Sequence, residues 1–337
     1  MDDTLLPPPI AYRTMRAIRY HEGGSPDVLR VDEIERPSPA ANEVLVETRA
    51  ASLNPVDAKF REMGKPRVPK TTGSDLAGVV TAVGADVEEY SEGDRVFATG
   101  LHVGRFTGGS VADFATVPTD LLAPLPDGVD FETGAALALV GVTAWRAFVH
   151  HAHLEPGTTA FVHGGNGGVG HVAVGLARAM GARPVATARP TYHDAVRGLG
   201  AETVVDYTRD DFTEAAIDAT DGADAILDHM AGTYLATDVD LAAFGGDVAV
   251  ITGDAATLPD VTAARSKELD IHMMSMSNLA SRPETPDIGP ILARLGRLVA
   301  DGRLEVVIDR TYTFAEARAA HRAVLDESFL GKIVLTP

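Results

Sequence analysis

From about residue 15 to residue 130, apolar and polar positions alternate in short runs such as Glu43-Val44-Leu45-Val46-Glu47 and Ala77-Gly78-Val79-Val80-Thr81-Ala82-Val83. Gly, Pro and Asp punctuate these runs, which predicts short strands closing into an all-β barrel. After residue 135 the rhythm changes to alternating strands and helices, the pattern of βαβ units on a parallel sheet. Strands are expected at Thr159 to His163, Pro184 to Ala188, Thr203 to Asp206, Ala225 to Asp228 and Asp247 to Thr252. Between the first two, Val172, Leu176 and Met180 fall at a spacing of four, so Gly168 to Met180 reads as an amphipathic helix, with Gly181 as its stop signal. Helix-like runs fill residues 285 to 337 up to a last strand, Lys332-Ile333-Val334-Leu335. Residues 1 to 14 contain Pro7, Pro8 and Pro9 without periodicity and read as a flexible arm.

Composition narrows this picture. At 337 residues, 45% of them hydrophobic, the chain can build two cores. No apolar run reaches the roughly 18 residues of a membrane span, and Met1-Asp2-Asp3-Thr4 is acidic where a secretory signal is basic. A cytoplasmic protein without a membrane partner is expected. The formal charge of −19 repels phosphate backbones, so nucleic acid is not expected as a partner either.

Lysine is confined to Lys59, Lys65, Lys70, Lys267 and Lys332, and Asp outnumbers Glu. That skew suggests a halophilic source, although base composition with a solubilising acidic surface gives the same bias. If it is salt adaptation, screening of the carboxylates should stabilise the fold. The melting temperature in about 2 M KCl is then expected to exceed that in about 0.05 M by more than roughly 10 °C. A flat melting temperature over that range leaves base composition as the cause.

The sequence has no cysteine. Disulfides, thiolate nucleophiles and every zinc site that needs sulfur are thereby excluded. His150, His151 and His153 cluster where a helix ends before Pro156-Gly157, a place where histidine suits the helix C-terminus, and no metal site is expected.

The chemistry concentrates at Gly164-Gly165-Asn166-Gly167-Gly168-Val169-Gly170. This segment follows the apolar strand Thr159-Ala160-Phe161-Val162 and opens the amphipathic helix. In that context Gly165-x-Gly167-x-x-Gly170 is a dinucleotide fingerprint, because side chains there would keep the backbone away from a pyrophosphate at the helix N-terminus. NAD enzymes place an acid at the end of the next strand to grip the ribose 2′-hydroxyl. Here no acid occurs from Gly181 to His193, and Arg189 stands at the strand end instead. An Arg there can pair with a 2′-phosphate, which favours NADPH, unless Arg189 is a solvated surface residue.

Leu53-Asn54-Pro55-Val56-Asp57, Gly73-Ser74-Asp75-Leu76-Ala77-Gly78-Val79-Val80, Gly93-Asp94-Arg95-Val96 and Gly141-Val142-Thr143-Ala144-Trp145 accompany the glycine loop in this order. Together they resemble the medium-chain dehydrogenase/reductase superfamily, and within it the zinc-independent quinone oxidoreductase branch near ζ-crystallin-like and alkenal reductases. The resemblance runs from about Met15 to Pro337. It implies an α/β protein in which a GroES-like β-barrel domain (15–136) carries an inserted Rossmann domain with a doubly wound parallel sheet (137–278), the chain then returning to the catalytic domain (279–337). Zinc-using relatives carry Cys near the position of Asn54 and Gly-His-Glu where this chain has Gly73-Ser74-Asp75.

The resemblance also implies roles. Asn54 lies beside the nicotinamide and faces substrate, or else stabilises the turn before Pro55. Some relatives have Tyr at the position of Lys59, so Lys59 is a candidate proton donor or a plain surface charge. Thr143 touches nicotinamide or phosphate, or only starts a helix. Tyr207 lies near the adenosine phosphate. Lys332 reaches the cofactor from the returning segment, or stays on the surface. With Gly164, Gly165, Gly167, Gly168, Val169, Gly170 and Arg189, these residues form the expected site. The implied activity is NADPH-dependent, metal-free hydride transfer to a quinone or α,β-unsaturated carbonyl, in a homodimer. Loop residues near His102, Phe106 and Met276 would set substrate preference. A zinc-type alcohol or sugar dehydrogenase and an NADPH-binding protein without turnover stay open as alternatives.

Overall fold

The computed structural model describes residues 14–64, 67–101, 108–252, 261–278 and 288–337, so the arm, His102 and Phe106 lie outside the described residues, save that Thr14 opens the first strand. The first half contains β1 (Thr14–Tyr20), β2 (Leu29–Glu35), β3 (Glu43–Leu53), α1 (Pro55–Met63), β4 (Lys70–Thr71) and β5 (Asp75–Val83). It continues through β6 (Arg95–Ala98), β7 (Phe114–Pro118) and β8 (Leu122–Pro124) into α2 (Phe131–Trp145). The Asp130 carboxylate starts α2 by accepting from the Thr133 N–H at 2.7 Å. Its last turn widens into a π-helical stretch, Arg146–His151, that contains His150 and His151.

The second half is β9 (Thr159–Val162), α3 (Gly168–Ala179), β10 (Arg183–Thr187), α4 (His193–Gly198), β11 (Thr203–Val205) and α5 (Phe212–Thr220). Next come β12 (Ala223–Asp228), α6 (Ala231–Leu241), β13 (Ala242–Val250), α7 (Val261–Ser266) and β14 (Asp270–Met273). The described strands form a parallel sheet in the order β11-β10-β9-β12-β13-β14. The order reverses beside β9, the switch point where such sheets bind ligands at their carboxyl ends. β14 is an edge strand that the apolar pattern does not announce, and β13 begins five residues before the expected Asp247. Its pairing with β12 shifts register between Ala223 and Ala225, so the early stretch pairs irregularly and shows no clean alternation.

The chain then returns through α8 (Ile288–Ala300), β15 (Ile308–Thr313), α9 (Ala317–Asp326) and β16 (Lys332–Thr336). β16 pairs antiparallel with β3, with Ile333 opposite Leu53, so the last strand extends the barrel sheet in the order β15-β16-β3-β5-β6-β8. The fold is therefore the α/β arrangement of a GroES-like domain and a Rossmann-type domain that the motifs imply. One apolar cluster joins the two halves: Val44, Leu76 and Phe97 from the barrel and Val172 from α3 share it with Leu137 of α2, the helix that packs on β3, β5, β6 and α3. Burying a side chain such as Leu137 contributes about 1.5–3 kcal/mol, so α2 anchors both domains and holds the cleft between them. No described helix is long and apolar enough to cross a membrane.

Candidate active site at the domain cleft

The glycine turn is built from β9 outward. After Val162 the chain turns through Gly164 at φ +63°, a left-handed conformation that glycine adopts without strain. The Gly164 N–H donates to Thr187 Oγ1 at 2.8 Å and the Gly165 N–H to the Thr187 carbonyl at 2.7 Å, which lashes the turn to the end of β10. A Cβ on Gly170 would lie 2.0 Å from the Gly164 carbonyl oxygen, so the close approach of helix to turn requires glycine. α3 starts at Gly168 with no side chain capping it, leaving its first N–H groups for an anion.

A cavity of about 670 Å³ opens from this turn into the cleft between the domains. Asn54, Lys59, Thr143, Gly164, Gly167, Gly168, Val169, Gly170, Arg189, Tyr207 and Lys332 all line it. Gly165 does not; it packs behind the turn, where a Cβ would meet that of Ala186 at 2.8 Å. Met276 is on the wall as well.

At one end of the cavity the exposed Arg189 side chain donates from Nε to the Tyr207 hydroxyl at 2.8 Å. The two residues come from the ends of neighbouring strands, β10 and β11. Asn166 Nδ2 donates to the Phe329 carbonyl at 2.9 Å and the Tyr192 hydroxyl to the Ser328 carbonyl at 2.8 Å, so the segment between α9 and β16 is tied across the mouth.

At the other end, Asn54 is buried at the start of α1. Its backbone N–H donates to Asp57 Oδ2 at 2.9 Å, which caps the helix, and its side chain lines the cavity. The amide is already engaged: Nδ2 donates to Asp75 Oδ2 at 2.8 Å, and Oδ1 accepts from Lys332 Nζ at 2.6 Å. Lys332 is buried, not on the surface, and also donates to the Leu53 carbonyl at 2.6 Å. Burial pushes its pKa below the ordinary lysine value, against the opposing pull of Asp75 and Asp57. Thr143 Oγ1 donates to the Leu139 carbonyl at 2.7 Å, so its hydroxyl can only accept from a ligand. Lys59 stands exposed on α1 at the rim.

Sequence reasoning passed over several residues here. His163 and His229 line the cavity beneath the turn, and burial holds both imidazoles down to about 4 and hence neutral at pH 7. His163 Nε2 contacts Asp238 Oδ1 at 2.7 Å and its ring stacks on Tyr234 at 4.2 Å between centroids. Nothing in the local pattern links residue 163 to 238; the parallel sheet brings them together. Among the described residues no three His, Asp or Glu side chains are grouped to hold a metal ion.

A barrel domain, a six-stranded dinucleotide-type sheet and a glycine turn facing their common cleft define a two-domain dehydrogenase of the nicotinamide-binding kind. Residues 40–127 match the family described as alcohol dehydrogenase GroES-like domain, and residues 199–335 match the one described as zinc-binding dehydrogenase. Quinone oxidoreductase of Mus musculus is 32% identical over 335 residues, covering 96% of this chain and 98% of that protein. An alcohol dehydrogenase superfamily protein of Novosphingobium aromaticivorans superposes with a TM-score of 0.86 at 34% identity, covering 96% of this chain and 100% of the other. A mycobacterial protein solved in complex with NADPH gives 0.82 at 27% identity, with 96% and 100% covered. The chain belongs to the medium-chain dehydrogenase/reductase superfamily, in its quinone oxidoreductase branch, and is an oxidoreductase.

Proposed function

We propose that the protein is an NADPH-dependent reductase that passes hydride to quinones or α,β-unsaturated carbonyls without a metal. The observation that carries this reading is the Arg189–Tyr207 pair standing on the same cavity as the glycine turn, at the strand end where an NAD enzyme would present an acid. Because Tyr207 accepts from Arg189, its own hydroxyl hydrogen is left to donate, and the pair offers a charge-assisted cradle for a 2′-phosphate. The turn and the uncapped start of α3 suit a pyrophosphate, and the relative solved with NADPH supports the choice of dinucleotide.

A dihydronicotinamide bound in this cleft supplies two electrons as hydride. Thr143, as an acceptor, suits an amide N–H of the ligand; Lys332 places a positive charge where an oxyanion can be held. Lys59 at the rim is the candidate to return a proton. The matched family's printed name implies zinc, but the donor set does not suit it: the chain has no cysteine, Asn54 is bonded to Asp75 and Lys332, and Ser74 Oγ accepts from the Gly100 N–H at 3.2 Å. No step is therefore assigned to a metal.

The test is a panel of quinones and alkenals with NADPH, run on protein purified without added metal, before and after EDTA. Turnover of at least one class, unaffected by chelation and without stoichiometric zinc, is expected. One zinc per chain lost together with activity would restore the alcohol dehydrogenase reading, and binding without turnover would make the chain a cofactor-binding protein.

A further inference from the structure

Asp75 does not line the cavity, and the reaction above does not use it. It is nevertheless wholly buried and well provided with donors: Ser52 Oγ at 2.9 Å, Thr99 Oγ1 at 2.6 Å and Asn54 Nδ2 at 2.8 Å. On its far side Asn54 Oδ1 receives Lys332 Nζ. Lysine can only donate and an ionised carboxylate can only accept, so the amide between them has one permitted orientation. Asn54 thus cannot turn its carbonyl to a ligand while this chain of contacts stands. The geometry is a buried ammonium and a buried carboxylate joined by a single amide.

An isolated buried ammonium is costly and tends to lose its proton. The ionisable groups that act on Lys332 are Asp75 from β5, Asp57 from α1 and His171 from α3. Burial keeps the His171 imidazole down to about 4, so it is neutral. Burial, and then the charge of Asp75, pushes Asp57 up to about 7, so it is a partial counter-charge at most near neutral pH. Burial raises the Asp75 carboxyl above the ordinary carboxylate range as well, but the Lys332 charge and the Thr99, Asn54 and Ser52 donors all favour its ionised form, and its pull on Lys332 is larger than that of Asp57. The Lys332 stem also runs against the glycine turn, its Cδ 3.3 Å from where a Cβ on Gly168 would lie.

We propose that Asp75 is a positioning residue: acting through the Asn54 amide, it keeps Lys332 charged and fixed against the glycine turn, as an anchor for an oxyanion of the bound ligand. The inference rests on the reading above only for the identity of that ligand.

Because the chain has only five lysines, protein labelled with 15N at the lysine side chains gives a sparse spectrum in which Lys332→Met identifies the Lys332 signal. No cofactor is needed, so a failed search for turnover does not affect the measurement. Asp75→Asn is expected to lower the titration midpoint of Lys332 by about one pH unit or more, and to shift the alkaline limb of NADPH affinity down with it. Asn54→Leu, which keeps the Asp75 carboxyl with its Ser52 and Thr99 donors but removes the amide, should lower the midpoint less and broaden the signal. Should Asp75→Asn fail to fold, Asn54→Leu decides alone. A Lys332 midpoint equal to that of the wild type in the folded variants would overturn the proposal. A purely structural Asp75 would lower melting temperature without moving that midpoint.

Discussion

Gly170→Ala is expected to abolish tight dinucleotide binding. The added Cβ would fall 2.0 Å from the Gly164 carbonyl oxygen, 2.7 Å from its carbonyl carbon and 3.0 Å from Gly165 Cα. All three are backbone atoms, so relief cannot come from a rotating side chain. Either α3 withdraws or the turn opens, and both move the N–H groups that would face a pyrophosphate. Strain of roughly 3 kcal/mol, the upper end of overpacking costs, corresponds to about a hundredfold in Kd. Gly198→Ala is the matched control: nothing lies within 4 Å of where its methyl group would stand at the end of α4, so binding and melting temperature should hold. Calorimetric titration with NADPH on both variants reads the difference. Near-native affinity in Gly170→Ala would remove the turn from the binding site.

Arg189→Glu is expected to invert the cofactor preference. In the native protein the charge-assisted contact should make NADPH bind at least about tenfold more tightly than NADH, on the order of 1.4 kcal/mol. The variant would repel a 2′-phosphate and accept from a ribose 2′-hydroxyl instead, so the Kd ratio should swing by about a hundredfold in total. Arg189 is exposed and its described side-chain hydrogen bond is to Tyr207, so the fold should survive the change. Equal native affinity for the two cofactors, by fluorescence titration, would return Arg189 to the class of solvated surface residues.

What could be read in the sequence follows from how local each requirement is. The turn from Gly164 to Gly170 was legible because backbone approach demands glycine at fixed spacing, whatever the rest of the fold does. Arg189 was legible because one strand and one helix suffice to locate the end of β10. Lys332 was only half legible. Its place after Gly331 is local, but its burial arises because β16 pairs with β3 across 279 residues of chain, to set its ammonium on the Leu53 carbonyl. Asp75 carried no local signal beyond differing from the acid of zinc-using relatives; its donors Ser52, Asn54 and Thr99 come from β3, the start of α1 and the turn after β6. The same holds for His163 and Asp238, 75 residues apart and joined only once the sheet and α6 have packed. In the Rossmann half, strands with clean apolar runs, such as Thr159–Val162, fell where the pattern put them. The edge strand Asp270–Met273 did not announce itself, since half its residues are polar and its burial is partial.

The proposed reaction is direct hydride transfer from NADPH to an electron-poor acceptor by protein that holds no metal. Its most direct test is single-turnover oxidation of NADPH carrying deuterium at the transferable C4 position, mixed with EDTA-treated enzyme and the acceptor that the panel selects. Acceptor-dependent oxidation, one reduced acceptor per NADPH consumed, and a primary isotope effect on the rate are expected. Oxidation that requires added zinc, or no acceptor-dependent oxidation with any quinone or alkenal, would contradict it.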